Sequence, residues 1–148
     1  MPRRRIDDTK GRQALTAAAT ELQHLLSGDD TQTGAGGVLT KLGEISPAQL
    51  DAALDRPTLL TAARWALEEL AERAPGRAVE VRVPPAGAVQ ILGGTVHRRG
   101  TPPAVIEMSM SVWVLLAAGQ LSWDEAEGAA LLQASGERAT LRDLLPLL

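Results

Sequence analysis

The chain has no cysteine, no phenylalanine and no tyrosine. Without cysteine there is no disulfide framework, no thiolate nucleophile and no thiolate metal site. Without Phe and Tyr the core has to be built from Leu, Val, Ile and Ala, with Trp65, Trp113 and Trp123 as its only bulky rings. An excess of basic charge is missing too. Net charge is −3; residues 1–76 hold 9 Lys/Arg against 11 Asp/Glu, and residues 77–148 hold 6 against 7. Neither half carries the electrostatic footprint of a nucleic-acid binder. The one basic cluster, Arg3-Arg4-Arg5, stands beside Asp7 and Asp8 and reads as a solvated tail. No apolar run follows those arginines as it does in a secretory signal. No stretch approaches the ~20 apolar residues of a membrane span. The expectation is a soluble, cytoplasmic protein with no nucleic-acid partner and no stable membrane insertion.

What is present is ordinary globular composition, 45% hydrophobic and 22% charged over 148 residues, enough for one core. Thr9 can cap a first helix to about Leu26, with Leu15, Ala18, Ala19, Leu22, Leu25 and Leu26 as an amphipathic stripe. "GDDTQTGAGG", Gly28 to Gly37, has too little apolar surface to offset its ordering entropy and reads as a flexible linker. This divides the chain into residues 1–45, helix and linker, and residues 46–148, the main domain.

"SPAQ" at Ser46 to Gln49 is a helix start, with a serine cap, proline at the first helical position and glutamine three residues on. Asp55 or Thr58 caps the next helix, which ends at Ala74 before Pro75-Gly76. The period then changes from 3.6 to 2: "VEVRV" (Val79 to Val83), "AVQIL" (Ala88 to Leu92) and "AVIEM" (Ala104 to Met108) read as strands. Ser109 or Ser111 caps a helix to Ala118, closed by Gly119 in the left-handed position. Ser122-Trp123-Asp124-Glu125 forms a capping box opening another helix. "ALLQA" (Ala130 to Ala134) is a fourth strand, although a helix also accommodates it. "ATLRDLLPLL" (Ala139 to Leu148) is a closing helix. The order points to α+β, with helices packed on a mainly antiparallel sheet.

No motif for chemistry survives inspection. His24 lies on the polar side of the first helix. His97, Arg98 and Arg99 share a polar loop and could grip a carboxylate or phosphate through the arginine forks, or be solvated there. Gly93-Gly94 lacks the rest of a phosphate loop. The pairs Glu68/Glu69 and Glu125/Glu127 fall in helix-surface patterns. No serine stands in a nucleophile elbow, and zinc has no cluster to hold it. The chain therefore reads as a non-enzyme without cofactor or metal. What remains is "MSVWVLLAAG", hydrophobic nearly all round. Such a helix walls a cavity or fills a core.

The run from "RAVEVRVPPAGAVQ" through "HRRGTPPAVIE", "VWVLLAAGQLSWDEA" and "ASGERATLRDLLPLL" resembles a bacterial family of sterol-carrier-protein-like domains, from about Pro47 to Leu148. The signal combines a proline-bearing hairpin, Arg99-Gly100-Thr101-Pro102-Pro103 before a strand, the Trp113–Trp123 segment, then Ala134-Ser135-Gly136 and a leucine-rich close. "EGAALLQASG" departs from the family in its alanines. The resemblance implies a sheet of about five strands covered by helices, with an apolar tunnel for fatty acyl chains or sterols gated by the C-terminal helix. Similar domains also occur as C-terminal modules of thiol-dependent isomerases and of acetyltransferases, where they need not carry a lipid. On this reading Val89, Ile91, Val105, Trp113, Leu116, Leu131, Leu144 and Leu145 would line the site, and His97, Arg98 and Arg99 would meet a polar headgroup. The alternative is a ligand-free interaction module that self-associates through the apolar stripe of its N-terminal helix.

Overall fold

The structure, a computed structural model, describes residues 5–27, 42–93 and 104–148. In chain order the elements are α1 (Asp8–Leu26), α2 (Pro47–Ala53), α3 (Arg56–Arg73), β1 (Pro75–Val83), β2 (Gly87–Ile91), β3 (Ala104–Met108), α4 (Met110–Ala117), α5 (Trp123–Gly128), β4 (Leu132–Ser135) and a short 3₁₀ turn, Arg142–Leu144.

Helix starts follow the side-chain chemistry. Ser46 and Gln49 exchange both bonds of a capping box at 3.2 and 3.0 Å, and Ser122 and Glu125 repeat it at 3.1 and 3.0 Å. Asp55 accepts the Thr58 N–H at 3.2 Å and opens α3. The Thr58 hydroxyl and N–H together hold the Asp55 carboxyl below the usual carboxylate range. Of the two candidate serines, Ser109 caps α4, accepting from the Val112 N–H at 3.2 Å. Gly119 closes α4 at φ +79°, in the left-handed region. Helix α1 differs from expectation: it begins at Asp8, with Asp7 rather than Thr9 at the cap position and no side-chain cap bond.

The sheet corrects the expected architecture in two ways. Among the described residues it has four strands rather than about five, in the order β2-β1-β3-β4. It is also mixed: β1/β2 and β3/β4 are antiparallel, but β1/β3 is parallel. The cause is where the chain re-enters. Strand β2 ends where β1 begins, and β3 starts from that same end on the other side of β1, so it must run alongside β1 in the same direction. Strand β4 covers Leu132–Ser135, two residues later than its expected start. A turn intervenes, with Ala130 at φ +56° and the Leu131 N–H bonded back to the Ala126 carbonyl at 2.9 Å.

One face of the sheet is apolar and buried: Val79, Val81 and Val83 of β1, Ile91 of β2, Ala104, Ile106 and Met108 of β3, and Leu132 of β4. The other face carries Glu80, Arg82, Gln90, Glu107 and Gln133, the alternation expected of a half-covered sheet. Helix α3 packs against β1 and β2, α4 packs against α3, and α1 lies across both helices. All eight residues of α4 are buried.

The expected closing helix is absent, and only the Arg142–Leu144 turn forms. Pro146 explains this: it has no N–H to continue a helix and drives Leu145 into extended backbone, ψ 152°. The extended tail then plugs the ends of two helices. Its Leu147 N–H donates to the Ala117 carbonyl at 2.9 Å, and Arg73 donates to the Leu147 carbonyl at 2.8 Å.

Helix α1 finds its partner within the chain. Leu15, Ala18, Ala19, Leu22 and Leu26 are buried, while Leu25, expected in the stripe, is 38% exposed. Trp65 of α3 is wholly buried beneath α1. Its indole N–H donates to Asp8 at 3.1 Å, and the Arg12 guanidinium lies 5.5 Å from the ring centroid. Gly11 leaves room for the ring, since a Cβ there would lie 2.1 Å from Trp65 Cγ and Cδ1. Around this contact Arg5 pairs with Asp8 at 3.1 Å, Glu69 at 2.5 Å and Glu72. The Ile6 N–H donates to Glu68 at 3.0 Å. Glu68 and Glu69, expected as plain surface charges, thus anchor the entry to α1.

Two outcomes follow. Gly11→Ala raises intrinsic helix propensity by about 1 kcal/mol, yet here it is expected to destabilise by about 1–3 kcal/mol through overpacking against Trp65; chemical denaturation of both proteins decides the sign. The indole hydrogen bond, with help from Arg5 and Arg12, holds the Asp8 carboxyl below its ordinary value. A depressed folded-state pKa stabilises above the unfolded value, about pH 4, and is lost as pH falls through the folded value. Trp65 fluorescence should therefore report an intact α1 contact from neutral pH to about pH 4 and its loosening below, and Asp8→Asn should remove that acid transition.

Candidate functional site

The residues expected to line a ligand site do not gather in one place. Ile91, Trp113 and Leu116 are wholly buried. The Trp113 indole N–H is satisfied by the Ala63 carbonyl at 3.1 Å, inside the α3–α4 contact. Val89 is half-buried on edge strand β2 and pairs with Val81, so it shares the covered face. Val105 pairs with Glu80 and Ser135, which puts it on the opposite, polar face of the sheet. Leu144 and Leu145 are half-buried in the C-terminal tail, whose neighbour Leu147 bonds to the last residue of α4. Leu131 precedes β4, near the other end of the molecule's helical layer. His97, Arg98 and Arg99 lie outside the described residues.

Leu131 opens onto a surface cleft of about 450 Å³. Helix α2 supplies Pro47, Ala48 and Asp51 to one wall, and Pro84 comes from the turn between β1 and β2. The end of β3 supplies Glu107 and Met108 and leads into Ser109, while Ala130, Leu131, Leu132 and Gln133 form the wall that runs into β4. Met108 and Leu132, paired across the β3/β4 ladder and both buried, make an apolar floor.

The cleft lies at the N-terminal end of α4, where backbone N–H groups lack helical partners and the helix dipole is positive. Two of those donors are already used. Asp51 accepts the Ser111 N–H at 2.9 Å and also the Ser111 hydroxyl, while Ser109 takes the next N–H, that of Val112. Ser111 is the one polar side chain in the buried core among the described residues, and Asp51 is its partner. Glu107 stands opposite Arg82 in the parallel register. Arg82 bonds Glu80 at 2.5 Å; that contact first, and the charge of Glu107 after it, raise the Arg82 pKa above its ordinary value.

Among the described residues, the lining includes no Lys, Arg or His, and no nucleophile–base pair. Among the described residues no group of three or more His, Asp or Glu could hold a metal ion. None of their helices is long and apolar enough to cross a membrane. Glu125, half of an acidic pair noted in the sequence, is spent in the α5 capping box. What the cleft offers is an apolar floor with a carboxylate-bearing rim.

Asp51, Glu107 and Met108 were not expected at a site. Asp51 and Ser111 are sixty residues apart in sequence, and no local spacing links them. The available hint was the pair of serines around Met110, which marks a helix start in need of a polar partner.

The architecture is an α+β domain with a helical layer over one face of a mixed sheet. Residues 55–147 match the family described as bacterial SCP ortholog, and the chain belongs to that family, the sterol-carrier-like group that its motifs resemble. No curated protein matches the chain.

Asp51→Ala should cost about 1–3 kcal/mol, because it leaves the buried Ser111 N–H and hydroxyl unpaired. Adding Ser111→Ala removes the orphaned hydroxyl and should recover part of that loss, a coupling that a double-mutant cycle measures directly.

Proposed function

We propose that the chain binds or carries an apolar ligand, a fatty acyl chain, sterol or similar lipid, without chemical turnover. The observation that carries this reading is the cleft of about 450 Å³ floored by Met108 and Leu132 and flanked by Leu131. Its volume falls in the range of roughly 300–1,000 Å³ common for small-molecule sites. Membership of the bacterial SCP ortholog family supports the same direction. Each methylene buried on such a surface contributes about 0.8 kcal/mol.

The cleft admits a ligand without disturbing the interior. Ile91, Trp113 and Leu116 are closed to solvent, so a longer chain reaching them would have to open the interior. The self-association reading loses its main support, since the apolar stripe of α1 is buried on α3 and α4 of the same chain.

Native mass spectrometry of the purified full chain, with organic extraction, tests the proposal. A stoichiometric co-purified lipid, or uptake of added acyl chains or sterol by the apo protein, is the expected result. A protein that is lipid-free and takes up neither overturns it. Leu131→Arg should weaken uptake about tenfold or more by removing an apolar contact of the size of a leucine side chain, with an unchanged circular dichroism spectrum.

A further inference from the structure

We infer that Ala130 is a positioning residue for this cleft: the left-handed stop it makes after α5 sets Leu131 beside the apolar floor, and a bound ligand steadies that stop. The inference rests on the binding reading above and adds how the wall of the site is held. Among the described residues three that are not glycine have positive φ, namely Leu92, Ala130 and Arg138, and of these Ala130 alone lines the cleft. At φ +56° an alanine Cβ crowds the following backbone. Helix ends that use this conformation usually place glycine in it.

The hydrogen bonds define the stop. The Ala130 N–H donates to the Glu127 carbonyl at 3.1 Å, and the Leu131 N–H donates to the Ala126 carbonyl at 2.9 Å. That pair of bonds is the closure in which glycine is the preferred left-handed residue. A glycine is near, but two residues early: Gly128 is the last helical residue of α5. Local preference favours a stop at Gly128, and the structure stops at Ala130. The wall beyond offsets the difference. Leu131 is half-buried against the core, and the next residue, Leu132, is buried and pairs with Met108 in the β3/β4 ladder. A stop at Gly128 would release Ala129 and Ala130 into the connection to β4, and the added slack would free Leu131 from its place beside the floor. A ligand that touches Leu131 therefore binds the Ala130 stop better than the Gly128 stop, and ligand and stop favour each other.

Substitutions at Ala130 separate backbone from side chain. Ala130→Gly, Ala130→Asn and Ala130→Val, with the unchanged full chain, are each titrated calorimetrically with 1-decanol and melted without it. Glycine and asparagine accept the left-handed region, whereas a β-branched residue resists it. The valine variant is expected to bind decanol roughly fivefold more weakly than the unchanged chain, and the polar asparagine variant to bind more tightly than the apolar valine one. If affinity follows apolarity instead, with valine at least as good as asparagine, the inference is overturned. It is also overturned if the proteins melt at different temperatures but bind decanol equally where all are folded, since Ala130 then acts on the fold alone. Should the valine variant not fold, amide exchange in the unchanged chain decides. Decanol at about ten times its Kd should slow exchange of the Leu131 N–H roughly tenfold and leave the fraying Ser27 N–H, at the end of α1, as it was; no slowing at Leu131 overturns the inference while the apolar-ligand reading stands. If the unchanged chain takes up neither decanol nor the acyl chains and sterol above, the binding reading itself fails and this inference falls with it.

Discussion

Helix α4 sets the constraint that the other elements satisfy. It has eight residues, seven of them apolar, and all are buried. A helix that short has little stability alone and must be enclosed by its neighbours. Helices α1, α2 and α3 pack around it. Two of its first-turn donors are met by Asp51 and Ser109, and the carbonyl of its last residue by Leu147. The partners come from points far apart in the chain, so α4 gains a complete set of neighbours only when the whole topology is in place.

The scarcity of aromatic residues sharpens the same problem. A core without Phe or Tyr must fill its volume with aliphatic side chains and three indoles. Trp65 and Trp113 both occupy the helical layer, wholly buried, and each indole N–H has a partner, one on Asp8 and one on the Ala63 carbonyl. A large ring needs space as well as a polar partner. Gly11 supplies that space by bringing the bare backbone of α1 onto Trp65. The ion pairs around Arg5 are exposed and contribute little each; their role is to fix how α1 enters this contact.

Elements whose signals are local were legible in the sequence. The Ser46 and Ser122 capping boxes, the Asp55 cap, the Gly119 stop and the alternation of Val79, Val81 and Val83 all appear where the residue types require them. Features set by distant contacts were not. The parallel β1/β3 pairing depends on which edge the chain re-enters. The closing helix was read from a leucine pattern that Pro146 interrupts. Val105 looked like a site residue because it is apolar, but a period of two puts it on the opposite face from Ile106. At the cleft only Leu131 was anticipated. Glu107 and Asp51 carry no spacing that distinguishes them from other surface acids.

The clasp between α1 and Trp65 bears on how the molecule can be dissected. The stretch recognisable by family likeness begins at residue 55, but the physical unit begins earlier. A fragment trimmed to that boundary would bare the indole of Trp65, strip the cover of Leu15 and Leu22 from α3, and remove Asp51 from Ser111. Such an exposed apolar surface favours aggregation. Kinship and cooperativity thus draw different borders on this chain, and a fragment for expression should follow the second.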